Sequence, residues 1–439
     1  MTKIRITVGI ICIIGIALLA WSTASSLGKV DYNALGKAEY EKGNYEKAIE
    51  YFTSAIEKDP TNADAYWNRG NTYATEDVFF HHYFKLPGQR TYAEAGHPEM
   101  DEAFQKAVSD FRKAMELDPG YAPLSHLGLG NAYYLYYDYY DDMLNKAVLE
   151  YENALQGLDQ IKAKLGEEGV AMVYTNLART YLKMCELDKA YGNYKKAIEI
   201  SPIDTALEHL VPVCIELGKY EEAYEVASRY IEMSREAGSE ELDLALMPGA
   251  VAAYHLGKYD EALDYINEVI ETFPESAYVA EAHRFRAMIL REKGREEEAR
   301  RDLEEAIGIC SDIISNPEVP ADIPGAYYER GLCYFDLEEY KKALRDFRYL
   351  VEHPEIADRE VAHENYYIEG YVALACTYSQ LGRNEEARGT FEEALEKLDT
   401  DPELKGWRKY IRDDVKELLK RVERGEVVPI PLMYEVLGK

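Results

Sequence analysis

A helical-hairpin signature recurs about nine times between Tyr32 and roughly Leu395, and it constrains this 439-residue chain more than any other feature. The clearest copy reads Tyr32-Asn33-Ala34-Leu35-Gly36, then Gly43-Asn44-Tyr45, then Ala48, Phe52, Ala55 and Pro60. A unit of this size cannot bury its own apolar face. It must stack on its neighbours, and such a stack presents a long concave surface.

An alanine, aromatic, alanine triplet marks the second helix of each unit. The copies are Ala48/Phe52/Ala55, Ala107/Phe111/Ala114, Ala147/Tyr151/Ala154, Ala190/Tyr194/Ala197 and Ala387/Phe391/Ala394. Weaker copies centre on Ala223, Ala262, Ala299/Leu303/Ala306 and Ala343/Phe347. The alanines allow close helix approach and the aromatic fills the gap between hairpins. Gly36, Gly70, Gly130, Ala178, Ala250, Ala287, Gly331 and Ala375 do the same on the first helices. Gly43, Gly218, Gly257, Gly294 and Gly382 sit where left-handed turns end those helices, and Pro60, Pro119, Pro202, Pro274 and Pro354 close units. The pattern resembles the tetratricopeptide repeat (TPR) over about 365 residues. The resemblance implies an all-α, right-handed superhelical solenoid of about nine TPR helical hairpins, spanning 29–398, with a C-terminal capping helix.

Two units depart from the pattern. Roughly 25 extra residues, about 74–102, separate the first helix of the second unit from its partner, and they include Phe79-Phe80-His81-His82-Tyr83-Phe84. The third unit carries about five extra residues within Leu135–Asp142. The capping helix is expected over 399–425, with Trp407, Ile411, Val415, Leu418, Leu419 and Val422 as its apolar stripe. An apolar, proline-bearing tail, 426–439, either folds back on that cap or docks on another protein.

Residues 1–28 read differently. Lys3 and Arg5 precede an uncharged run from Ile6 to Gly28, dense in isoleucine and leucine between Val8 and Trp21. Two readings compete. One is a cleaved secretory signal ending among the small residues Ser22–Ser26. The other is a retained anchor, since about 20 residues cross a bilayer. Both place the repeats outside the cytoplasm, with the N-terminus inside if the anchor is kept. Membrane contact is expected through this segment only.

The formal net charge of −31 excludes a general binder of nucleic acid or anionic membrane, which needs clustered Lys and Arg. Six scattered cysteines form no C-x-x-C pair and suit small core positions better than a disulfide framework. Phosphate loops, H-E-x-x-H and G-x-S-x-G are absent, so no enzyme and no cofactor is expected. His81, His82 and His97 lack a nearby cysteine to complete a zinc set, so no metal site is expected.

In proteins that this one resembles, the first helix of each hairpin lines the groove. Carried onto this chain, the resemblance points to Asn33, Trp67, Asn68, Asn71, Asn131, Tyr134, Asn176, Arg179, Lys183, Arg284, Arg291, Tyr328 and Phe335, with Lys37, Tyr254 and Met288 in related slots. Asparagine both gives and takes hydrogen bonds, which suits an extended peptide backbone. Arg179, Lys183, Arg284 and Arg291 form basic spots that suit an acidic segment or a chain terminus. The basic clamp of chaperone-binding members is not matched, because Leu124 and Gly128 stand where its later basic residues would be. The expected function is a non-catalytic scaffold outside the cytoplasm that binds a protein or peptide partner. The alternative is a self-assembling structural protein that forms homo-oligomers through the tail or the aromatic insertion.

Overall fold

In a computed structural model the described residues are 30–75, 98–135, 142–239, 242–274, 276, 278–315, 322–354, 366–400 and 408–430. The N-terminal run 1–28, the aromatic insertion with its histidines, Trp407 and the end of the tail lie outside them. Every regular element among the described residues is helical, and the fold belongs to the all-α repeat solenoids. The chain divides into two compact units, Met1–Lys164 and Leu165–Lys439.

The first unit stacks three hairpins: α1 (Tyr32–Tyr40) with α2 (Tyr45–Lys58), α3 (Ala63–Tyr73) with α4 (Pro98–Leu117), and α5 (Ala122–Leu135) with α6 (Met143–Ala154). Local chemistry sets their starts. Asp31 Oδ1 accepts from the Ala34 amide at 3.0 Å and Asn62 Oδ1 from the Ala65 amide at 3.0 Å, satisfying amides that a helix N-terminus leaves unpaired. The predicted packing faces are buried: Ala48, Phe52, Ala107, Phe111, Ala114, Ala147, Tyr151 and Ala154 are almost fully enclosed. A Cβ on Gly36 would come within 2.5 Å of the Phe52 ring, so the first helix can lie against the second only because that residue has no side chain.

Helix α7 (Leu158–Lys183) is interrupted at Gly166, whose backbone takes φ 72°. The second unit continues from there with α8 (Leu187–Ile200), then α9 (Asp204–Glu216) with α10 (Tyr220–Ala237), and α11 (Asp243–His255) with α12 (Tyr259–Thr272). Next come α13 (Val279–Glu292) with α14 (Glu296–Ser315), α15 (Asp322–Asp336) with α16 (Tyr340–Glu352), and α17 (Tyr366–Gln380) with α18 (Asn384–Thr400). Helix α19 (Arg408–Glu423) lies on α18 and buries Ile411, Val415, Leu418 and Val422. The chain then turns back over α17. Val428 is fully buried, its amide donates to Ser379 Oγ at 3.2 Å, and Gln380 Nε2 donates to its carbonyl at 3.3 Å. The start of the tail is therefore occupied within its own unit.

One recurring device was not read from the sequence. The residue before the small packing position of three first helices is arginine, and it grips a buried aspartate on the second helix. Arg69 Nε donates to Asp110 at 2.7 Å, Arg286 Nε to Asp302 at 2.9 Å and Arg330 Nε to Asp346 at 2.8 Å. A further guanidinium nitrogen of each reaches back to the preceding hairpin, to Thr53, Asn267 and Ser311 respectively. One side chain thus closes its own hairpin and fastens it to the one before.

The expectation of a membrane-anchored chain with its repeats outside the cytoplasm is corrected. Among the described residues no helix is long and apolar enough to cross a membrane. The segment that prompted the expectation lies outside them, so nothing in the structure supports a tether.

Candidate binding face on the first helices

Side chains on the first helices meet across successive hairpins in both units. In the first unit they converge on Asp64. Lys37 Nζ donates to its Oδ2 at 2.6 Å and Asn33 Nδ2 at 2.8 Å. Lys164 Nζ donates to its Oδ1 at 2.8 Å and the Tyr121 hydroxyl at 2.7 Å. Asn68 Nδ2 completes the set by donating to Asn33 Oδ1 at 3.1 Å. Burial works against ionisation of Asp64, but Lys164, Lys37, Tyr121 and Asn33 together overcome it and hold the carboxylate well below its ordinary range. Beside this network Trp67 Nε1 donates to the Leu124 carbonyl at 3.2 Å.

In the second unit the corresponding surface is acidic. Arg284 on α13 is 8% exposed and donates from Nε to Glu329 on α15 at 2.8 Å. Glu281 on α13 feels the charges of both members of this pair, and Glu369 on α17 feels that of Glu329. Burial, and then the charge of Glu329, push the Glu281 carboxyl up to about 7 against the pull of Arg284. Burial and Glu329 push Glu369 up to about 8. Asp336 is also raised by burial, although Arg284 and Arg291 oppose it. Glu369 Oε2 and Asp336 Oδ2 are closed to solvent and accept no hydrogen bond. Four carboxyl groups thus stand against Arg284 and Arg291. No cluster suited to a metal ion occurs among the described residues.

Family models for the TPR repeat match residues 36–76, 171–204 and 368–396. The chain carries tetratricopeptide repeats. A model for the N-terminal domain of the T7SS, ESX-1 secretion system protein EccA1 matches residues 233–315. The chain is 22% identical over 370 residues to DnaJ homolog subfamily C member 7 of Homo sapiens, covering 71% of this chain and 64% of that protein. It is 25% identical over 183 residues to Superkiller protein 3 of Schizosaccharomyces pombe, covering 42% of this chain and 10% of that one. Among solved structures the apo form of RapI aligns with a TM-score of 0.55 at 14% identity, over 90% of this chain and 99% of that one. At that identity the likeness is one of fold.

Against this TPR frame the predicted groove residues are spread over the first helices of both units. Asn33 and Asn68 meet across α1 and α3, as described. Trp67, Asn71, Asn131 and Tyr134 are half-buried on α3 and α5, and Asn131 Oδ1 accepts from the Tyr151 hydroxyl at 2.9 Å. Asn176, Arg179 and Lys183 lie half-buried along α7. Arg291 Nη2 donates to the Asp336 carbonyl at 2.7 Å, which ties α13 to α15. Phe335 sets its ring edge-on to Tyr340 at 5.4 Å.

Two expectations change. Tyr328 is 4% exposed between Phe347 and Tyr366, so it belongs to the core and not to the lining. Arg284 is no open basic spot: Glu329 already holds it, and its neighbours are carboxyl groups. The missing basic clamp also has its reason. Gly128 faces Phe111 so closely that a Cβ would come within 2.4 Å of the ring, and Leu124 is 3% exposed.

Sequence reasoning missed the carboxylates of this face, although a signal was there. Asp64, Glu281 and Glu369 each stand six residues before the small packing residue of their own first helix, namely Gly70, Ala287 and Ala375.

Proposed function

We propose that this chain is a non-catalytic TPR scaffold that holds a segment of a partner protein along its first helices. Folds of this class bind protein or peptide partners through that face. The observation that carries the reading is the set of asparagines on successive first helices of the first unit: Asn33 and Asn68 meet across α1 and α3, and Asn71 and Asn131 hold one slot on α3 and α5. Side chains that both give and take hydrogen bonds suit a peptide backbone more than an apolar ligand. An acidic segment is not favoured at Arg284, because Glu329 occupies it. Self-assembly through the tail gains no support from Val428, which is enclosed within its own unit.

A photo-crosslinking amino acid placed at Asn71 on α3, and separately at Arg300 on the outer helix α14, tests the reading in cells. One defined protein captured from position 71 and not from 300 is the expected result. Capture of the same set from both positions, or of nothing from either, would remove it.

A further inference from the structure

The carboxylate slot six residues before the small packing residue is filled in one unit and open in the other. At Asp64 the filling comes from the preceding first helix, through Asn33 and Lys37, and from Tyr121 and Lys164 on the other side. Ahead of Glu369 the residues at the Asn33 and Lys37 slots are Tyr328 and Leu332, and ahead of Glu281 they are Met247 and Val251. All four are buried in the core and offer no cation. Glu369 Oε2 is accordingly closed to solvent without a hydrogen bond. Arg284, which bears on Glu281, is committed to Glu329.

We propose that the face formed by Glu281, Glu329 and Glu369 receives a lysine or arginine side chain from the bound partner segment, which supplies there what Lys37 and Lys164 supply to Asp64. This rests on the reading of the first helices as a peptide-binding face. A buried carboxyl without a cation lowers its free energy by keeping a proton, and an arriving ammonium or guanidinium displaces it. The groups bearing on the slot are Glu281, Arg284 and Arg291 of α13, the thiol of Cys310 on α14, Glu329, Cys333 and Asp336 of α15, and Glu369 of α17. Asp346 of α16 is held away by Arg330, and Glu393 of α18 by the Tyr371 hydroxyl. Cation uptake therefore releases protons from Glu281 and Glu369, and binding tightens as pH rises from 6 towards 9.

A phage-displayed library of random dodecapeptides panned on the immobilised full-length chain provides the probe. The expected clones converge on lysine or arginine at one position. In a synthetic peptide, changing that residue to norleucine or citrulline should weaken binding about tenfold, the worth of one charge-assisted contact. Glu369→Gln, and separately Glu281→Gln, should do the same for the basic peptide and flatten its pH dependence, with circular dichroism melts confirming that each variant folds. Clones without a basic position, or affinity unmoved by both variants, overturn the cation site and leave the peptide-binding face standing. Failure to enrich any clone overturns both.

Discussion

Asp64 and Glu369 occupy equivalent slots on first helices and experience opposite fields. Four donors surround Asp64, so its folded-state carboxylate titrates below the ordinary 3.8. The stabilisation is present above that value and disappears as pH falls through the lower folded one. Asp64→Asn should therefore cost about 2 kcal/mol near pH 7, within the range for charge-assisted hydrogen bonds. The gap to wild type in denaturant melts should narrow towards pH 3, and an unchanged gap would show that the network contributes nothing through charge. Glu369 has the reverse sign. Its folded value near 8 lies above the ordinary 4.5, so the native state holds an extra proton between the two and loses stability as pH rises through that window. Glu369→Gln should melt higher than wild type at pH 9 and close to it at pH 4. Equal melting temperatures at both pH values would show that the carboxyl is well solvated.

At the scale of an element, the hairpin is held by alanine faces and by the arginine clamp. Ala190 and Ala394 are fully enclosed. Leucine at either site overpacks two helices and should destabilise by roughly 1–3 kcal/mol, and melts that match wild type would place those alanines outside the contact. Loss of Arg330, like that of Arg69 or Arg286, strands a buried partner, since Asp346 is 5% exposed. Arg330→Ala should cost about 3–5 kcal/mol, whereas the joint change Arg330→Met with Asp346→Leu should come close to neutral. If the double variant is as unstable as the single one, the clamp is working through the neighbouring hairpin at Ser311 and not through its own pair. The turns follow the same economy: Gly257 and Gly382 take φ 70° and 68°, while Cys185 and Glu338 adopt the same conformation at φ 66° and 60° against the preference of an L side chain.

At the scale of the whole molecule each unit is a stack, and a stack must end. Helix α19 covers the last hairpin of the second unit with Ile411, Val415, Leu418 and Val422. Their burial is worth roughly 6–12 kcal/mol before chain entropy is counted. A chain cut after Thr400 should lose much of that and scatter light on heating, because the α17–α18 hairpin would expose Leu398 and its neighbours. Melting and scattering identical to the full chain would show that α19 does not cap.

The sequence by itself determined the repeat register, because close helix packing demands alanine or glycine at fixed intervals and that demand is written in residue size. Glycine likewise marked the ends of α1, α9, α11, α13 and α17, where the backbone turns left-handed. Tertiary structure alone decided which polar residues are satisfied. The partner of Arg284 is 45 residues away, and that of Lys164 is 100 residues away. No spacing rule reaches such distances, and a charge has no single preferred neighbour until the fold brings one within hydrogen-bond range. Arg284 therefore read as an open basic spot, whereas stacking of α13 on α15 sets it among the carboxyl groups of Glu281, Glu329 and Asp336.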